Sequence, residues 1–150
     1  MTRDEFLSER RIAILATEDP DGSAYLSAVW FDFIDGAFLL PTGGRSRKAR
    51  NALARPRGSI VVEERVGTLR GVGARGGLEV LDGAGALALN ERLHRRYVTD
   101  AGMADPALGG ALTGADDVTL KLIPEAWNEW DMGDMGVRLG DPRLAHPLAP

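Results

Sequence analysis

Cysteine is absent from this chain of 150 residues. Its absence excludes disulfides, thiolate metal sites and cysteine nucleophiles, and it suits a reducing, cytoplasmic location. Histidine occurs twice, at His94 and His146. Neither belongs to an H-E-x-x-H motif or to a cluster with carboxylates, so metal-dependent hydrolysis has no support. G-x-S-x-G is missing, which removes the nucleophile elbow of a serine hydrolase. The opening MTRDEFLSERR has no apolar run, and no stretch of about 18 apolar residues follows it, so neither a signal peptide nor a membrane span is expected.

What is present is charge in the wrong place. The chain carries 18 Lys and Arg against 22 Asp and Glu, a net charge of -4. Yet Arg45, Arg47, Lys48, Arg50, Arg55 and Arg57 fall between Gly43 and Gly58 with no acid among them. The positive charge is local. A nucleic-acid surface would be broader and would interleave aromatics, which this stretch lacks, so nucleic acid is not expected as a partner. At this length one domain is sufficient, able to bury about 70% of its unfolded surface.

Hydrophobic patterning predicts a mainly β protein. A short helix over 4–9 leads into a buried strand at 11–17, ended by the turn cluster Glu18-Asp19-Pro20-Asp21-Gly22. A second strand runs over 24–33, and Asp35-Gly36 signals a two-residue hairpin into 37–41, giving an antiparallel meander. Ala49, Ala52 and Leu53 have helical spacing, with Ser46 as N-cap and Pro56 as the stop. Strands at 59–64 and 69–81 follow, the second glycine-rich enough to bulge. A helix over 84–98 ends in His94, Arg95 and Arg96. Residues 99–116 read as loop, 118–123 as a strand stopped by Pro124, and 126–131 as another short strand. The whole points to a small antiparallel barrel over 1–131 with two or three helices, followed by a tail, 132–150, of poor core-forming character.

The match of Gly71-Val72-Gly73-Ala74-Arg75-Gly76 to G-x-G-x-x-G is discounted, because a strand pattern rather than a helix follows it. The segment Thr42-Gly43-Gly44-Arg45-Ser46-Arg47-Lys48 is a phosphate cradle in kind: glycines that admit backbone amides, a hydroxyl at a helix start, and cations for charge-assisted bonds. A solvated basic helix end is the alternative. Leu26-Ser27-Ala28-Val29-Trp30-Phe31 could offer an extended edge to a flat heterocycle, with Trp30 and Phe31 equally open to a reading as core. Tyr97 is read as packing. Glu63-Glu64 and Asp116-Asp117 are read as solvated or capping pairs, and no catalytic residue stands out.

The order ATEDPDGSAYLSAVWF, DGAFLLPTGGRSRKARNALARPRGSIVVEE, LRGVGARGGLEVL and VTLKLIPEAWNEWD resembles the split β-barrel flavin and deazaflavin oxidoreductases, the superfamily of pyridoxamine 5′-phosphate oxidase, over residues 5–131. Its most specific element is T-x-x-x-S-R-K with Asn51 three residues on. The resemblance implies a homodimer with the cofactor in a groove at the subunit interface. It implies that Leu26 to Phe31 run along the ring, that Thr42, Arg47 and Lys48 contact the phosphate, and that Trp130 stands near the groove; Pro41, Ser46 and Asn51 are counted with them as cofactor-binding residues. Arg70 occupies a position where the oxidase branch places a glutamine. The oxidase's C-terminal Trp and Arg element for pyridoxal is not found. The branch that uses the deazaflavin F420 is similar in short length, in S-x-K-x-x-N and in the Trp-Asp ending, and Arg45, Arg50, Arg55 and Arg57 could meet the acidic tail of F420. The implied function is hydride transfer from F420 to an unsaturated small-molecule acceptor. FMN is the alternative cofactor, and a non-catalytic flavin or F420 binder the alternative class.

Overall fold

Asp35 and Gly36 take φ of +51° and +77°, the left-handed pair that a type I′ hairpin requires, and they join β3 (Asp32–Ile34) to β4 (Ala37–Thr42). The expected meander is interrupted once, between its second strand and this hairpin. In the computed structural model, which describes residues 1–150, the strand predicted over 24–33 breaks after Val29. Its first part, β2 (Ala24–Val29), pairs with β1 (Ala13–Glu18), whose other side takes β5 (Arg57–Glu63).

The order across the seven strands is β2-β1-β5-β6-β7-β4-β3, antiparallel at each pairing, with β6 spanning Gly71–Leu81 and β7 Val118–Trp130. The two edges, β2 and β3, are consecutive in the chain. Laid flat, six strand spacings would part them by about 29 Å. The link from Val29 to Asp32 spans at most about 11 Å. The sheet must therefore curl until its edges almost meet, and the result is a barrel split between β2 and β3.

Pro124 does not end β7 as its chemistry suggested. The pairing shifts between Arg75 and Gly76, so that Arg75 faces Ala126 and Gly76 faces Pro124. Glu125 is the extra residue of a bulge, which is where a strand tolerates proline and where it bends. The freed Glu125 carboxylate accepts from Arg57 at 2.8 Å.

Inside the barrel, alternate residues of each strand meet. Leu15, Val62, Val72, Leu120 and Leu122 are inaccessible to solvent, and Phe33, Phe38 and Trp127 pack ring against ring with centroids 4.9–5.9 Å apart. Helix α1 (Arg3–Ser8), held by a capping box between Thr2 and Glu5, adds Phe6 and Leu7 to this core. Helix α2 (Arg47–Ala54) lies on β1 and β6, and α3 (Gly83–Tyr97) on β7 and β4.

Six helices form rather than two or three. The expected loop 99–116 contains α4 (Asp100–Ala104) and α5 (Pro106–Ala111), each started by a side-chain cap, Thr99 and Asp105. In the tail, α6 (Gly133–Leu139) docks on the β5–β6 loop, where Gly136 lies so close to the Thr68 carbonyl that a Cβ would overlap it. No helix is long and apolar enough to cross a membrane.

Candidate functional site

At the β4–α2 junction, Thr42 Oγ1 donates to Ser46 Oγ at 2.8 Å, and Ser46 Oγ accepts from the Ala49 amide at 3.2 Å. Ser46 is therefore the N-cap that its sequence position predicts. The backbone N–H groups of Arg47 and Lys48 have no acceptor, and the first turn of α2 contains no acid. Gly44 serves packing: a side chain there would strike the carbonyl of Asp116.

The six cations fare differently. Arg47 pairs with Asp19 through two nitrogens, one at 2.9 Å, and its guanidinium lies 4.5 Å from the centroid of the Tyr25 ring. Arg55 donates to the Glu18 carbonyl at 2.7 Å and to Asn51 Oδ1 at 3.1 Å, and Arg57 pairs with Glu125. Arg45, almost fully exposed, reaches Asp116 at 3.6 Å. Arg50 is exposed and makes no pair. Lys48 is half-buried with no hydrogen bond or counter-ion, and burial pulls its pKa below the ordinary lysine value.

Asn51 is buried and holds α2 against β1, donating to Thr17 Oγ1 at 3.1 Å and to Asp19 Oδ1 at 2.9 Å. Hydrogen bonds from Arg47 and then Asn51 keep the Asp19 carboxyl below the usual carboxylate range. Around this network lies a cleft of about 640 Å³ lined by Asp19, Asp21, Arg47, Arg50, Asn51 and Arg55. Sequence reading placed Asp19 in a turn and missed it as a partner. Its burial arises from a helix 28 residues later, which no local pattern reveals.

Leu26, Ser27, Ala28 and Val29 do form an edge strand, so one side of β2 lacks a neighbour. Leu26 and Ala28 face outward, and Ser27 Oγ is shut from solvent without a partner. The strand and the cradle are neighbours, but by another route than the hairpin: Arg47 and Tyr25 bring them together. Trp30 and Phe31 lie beyond the strand. Phe31 is core, and Trp30 stacks on Tyr97 with planes 3° apart. Pro41 sits within β4 opposite Thr119.

Arg70 and Trp130 are not brought to this place. They lie at the far end of β5, about five residues or 17 Å along it. There Arg70 donates to the Met1 carbonyl at 2.8 Å and Trp130 covers Gly71. Trp130 borders an open cleft of about 510 Å³ over the outer face of β5, β6 and β7.

The order of elements and the curled sheet agree with what comparison with known proteins returns. A family model described as pyridoxamine 5′-phosphate oxidase matches residues 2–131. The chain belongs to that family. The pyridoxamine 5′-phosphate oxidase fold is shared with a conserved hypothetical protein from Mycobacterium tuberculosis, 29% identical, with a TM-score of 0.72 over 91% of this chain and 88% of that one. An F420 reductase is 24% identical, with a TM-score of 0.69 over 85% of this chain and 97% of that one. A heme storage protein from Vibrio cholerae, 19% identical, has a TM-score of 0.65 over 85% and 89%. A search of the curated proteins finds no match. The family is one of flavin-binding oxidoreductases, and at that level the function of this chain follows.

Proposed function

We propose that this protein is an oxidoreductase that binds the deazaflavin F420 along β2 and the start of α2 and serves hydride transfer to an unsaturated small-molecule acceptor. One observation carries the reading: Lys48, a half-buried ammonium with no counter-ion, stands on the first turn of α2 beside two free backbone N–H groups. That donor set suits a phosphate group. The free edge of β2, with its unpaired backbone N–H and C=O groups, suits the polar rim of a flat ring system. The 24% identity to an F420 reductase is consistent with the choice of ring.

In this arrangement Lys48 and the α2 amides hold the phosphate, Arg47 is kept in place by Asp19 with donors to spare, and β2 orients the ring. The bound cofactor would supply the hydride, and the protein's part is binding, orientation and exclusion of water. The reading includes a homodimer. Each protomer separates the α2 end from the Arg70 and Trp130 end, and a second copy across the outer face would bring one end of each subunit to the other.

A second reading, FMN in the same place, is favoured by a specific observation. Of the four cations expected to meet the longer acidic tail of F420, Arg45, Arg55 and Arg57 are engaged within the chain, so only Arg50 is left for it. Equilibrium titration of the apo protein with FMN and with F420, followed by fluorescence at moderate salt, separates the two. Tight F420 binding with weak FMN binding is the expected result, and the reverse assigns the flavin. Turnover with conjugated acceptors then separates an enzyme from a cofactor store.

A further inference from the structure

Trp30 and Phe31 form the corner that carries the chain across the split, and a corner has no ladder to satisfy its backbone. Phe31 is nevertheless fully buried, so its polar groups need partners. The hydroxyl of Tyr97, at the end of α3, supplies them. It accepts from the Phe31 amide at 3.3 Å and lies 2.9 Å from the Phe31 carbonyl and 2.8 Å from the carbonyl of Arg11. Phe31 follows β2 and Arg11 precedes β1, at the end of the ladder where Ala13 faces Val29. One hydroxyl therefore fastens together the ends of the edge strand and its only neighbour. The ring is itself fixed by a parallel stack on Trp30, with centroids 4.9 Å apart, and by the bulk of buried His94 edge-on to Trp30 at 6.1 Å.

We propose that Tyr97 is a positioning residue for the cofactor site, setting through its hydroxyl the register and tilt of the free β2 edge. The proposal rests on the reading of β2 as the ring-bearing strand. Nothing in the stack requires the hydroxyl, since phenylalanine would stack equally well on Trp30. Packing alone therefore does not explain a tyrosine at this position, whereas the unpaired backbone of the corner does.

Tyr97→Phe keeps the stack and removes the fastening. The test is hydrogen exchange along β2 together with FMN and F420 titrations of the wild type and the variant. A second variant, Thr2→Ala, serves as control: it breaks the α1 capping box and destabilises the fold without touching β2. The expected result is exchange faster by tenfold or more at residues 26–31 in Tyr97→Phe, unchanged exchange in β5 to β7, and five- to tenfold weaker binding of whichever cofactor the wild type takes, roughly as one neutral hydrogen bond allows. Thr2→Ala should bind normally. Wild-type affinity in Tyr97→Phe overturns the positioning role and leaves the cofactor reading intact. An equal loss in Thr2→Ala also overturns it, because the effect would then be one of stability. A wild type that binds neither cofactor overturns the functional reading and the positioning role together.

Discussion

A half-buried ammonium without a counter-ion, as at Lys48, lowers the stability of the empty protein and becomes favourable only when an anion arrives. Lys48→Ala is therefore expected to weaken cofactor binding ten- to a hundredfold, about 1.5–3 kcal/mol for a charge-assisted bond. The melting temperature of the apo protein should stay level or rise, since the change removes a desolvated charge. Titration and thermal melting check both, and undiminished affinity would remove Lys48 from the site. His94 is buried with Nδ1 unpartnered, and burial lowers its pKa despite the nearby Asp117. The unfolded chain takes up a proton near pH 6.5, before the folded one does. Stability should thus be level above that pH and fall as pH drops through it toward the folded value. Melting curves of His94→Leu should lose this slope, and a slope unaltered in that variant contradicts the assignment.

Among the elements, those set by local chemistry were legible in the sequence. The Asp35-Gly36 turn and the Ser46 cap follow from one or two residues each, whereas the bulge expected in β6 falls on its neighbour, at Glu125 of β7. The broken strand at Trp30 and the continuous β7 through Pro124 were not legible. In both cases the barrel's closure decides: it forces a corner where propensity favours extension, and a bulge where proline suggests a stop. In the candidate site, the basic start of α2 was readable because cations cluster in sequence, but the engagement of Arg47 by Asp19, or of Phe31 by Tyr97, joins positions 28 and 66 residues apart. Helix α6 went unforeseen because its docking depends on one close approach, Gly136 on Thr68. Gly136→Ala is expected to release it. Faster proteolysis within 133–150 with an unchanged main melting transition would show this, and a proteolysis-resistant variant would deny it.

At the level of the whole molecule, β2 has an uncovered edge of six residues with neither charge nor proline, and Ile14, Leu26 and Ala28 continue it as an outward apolar face. Natural sheets rarely leave such an edge bare. A dimer at micromolar concentration by light scattering is the expected outcome, and Leu26→Lys should shift it toward monomer. A wild-type monomer would deprive the proposed groove of its second wall. The two-residue crossing at Trp30–Phe31 has a mechanical consequence. It works as a clasp: pulling on β2 pulls β3, then the hairpin, then β4 and Thr42 at the threshold of α2. Grip on the ring and grip on the phosphate should therefore be linked. Combining Tyr97→Phe with Lys48→Ala is expected to show a coupling above about 0.5 kcal/mol in cofactor affinity, where independent sites would simply add.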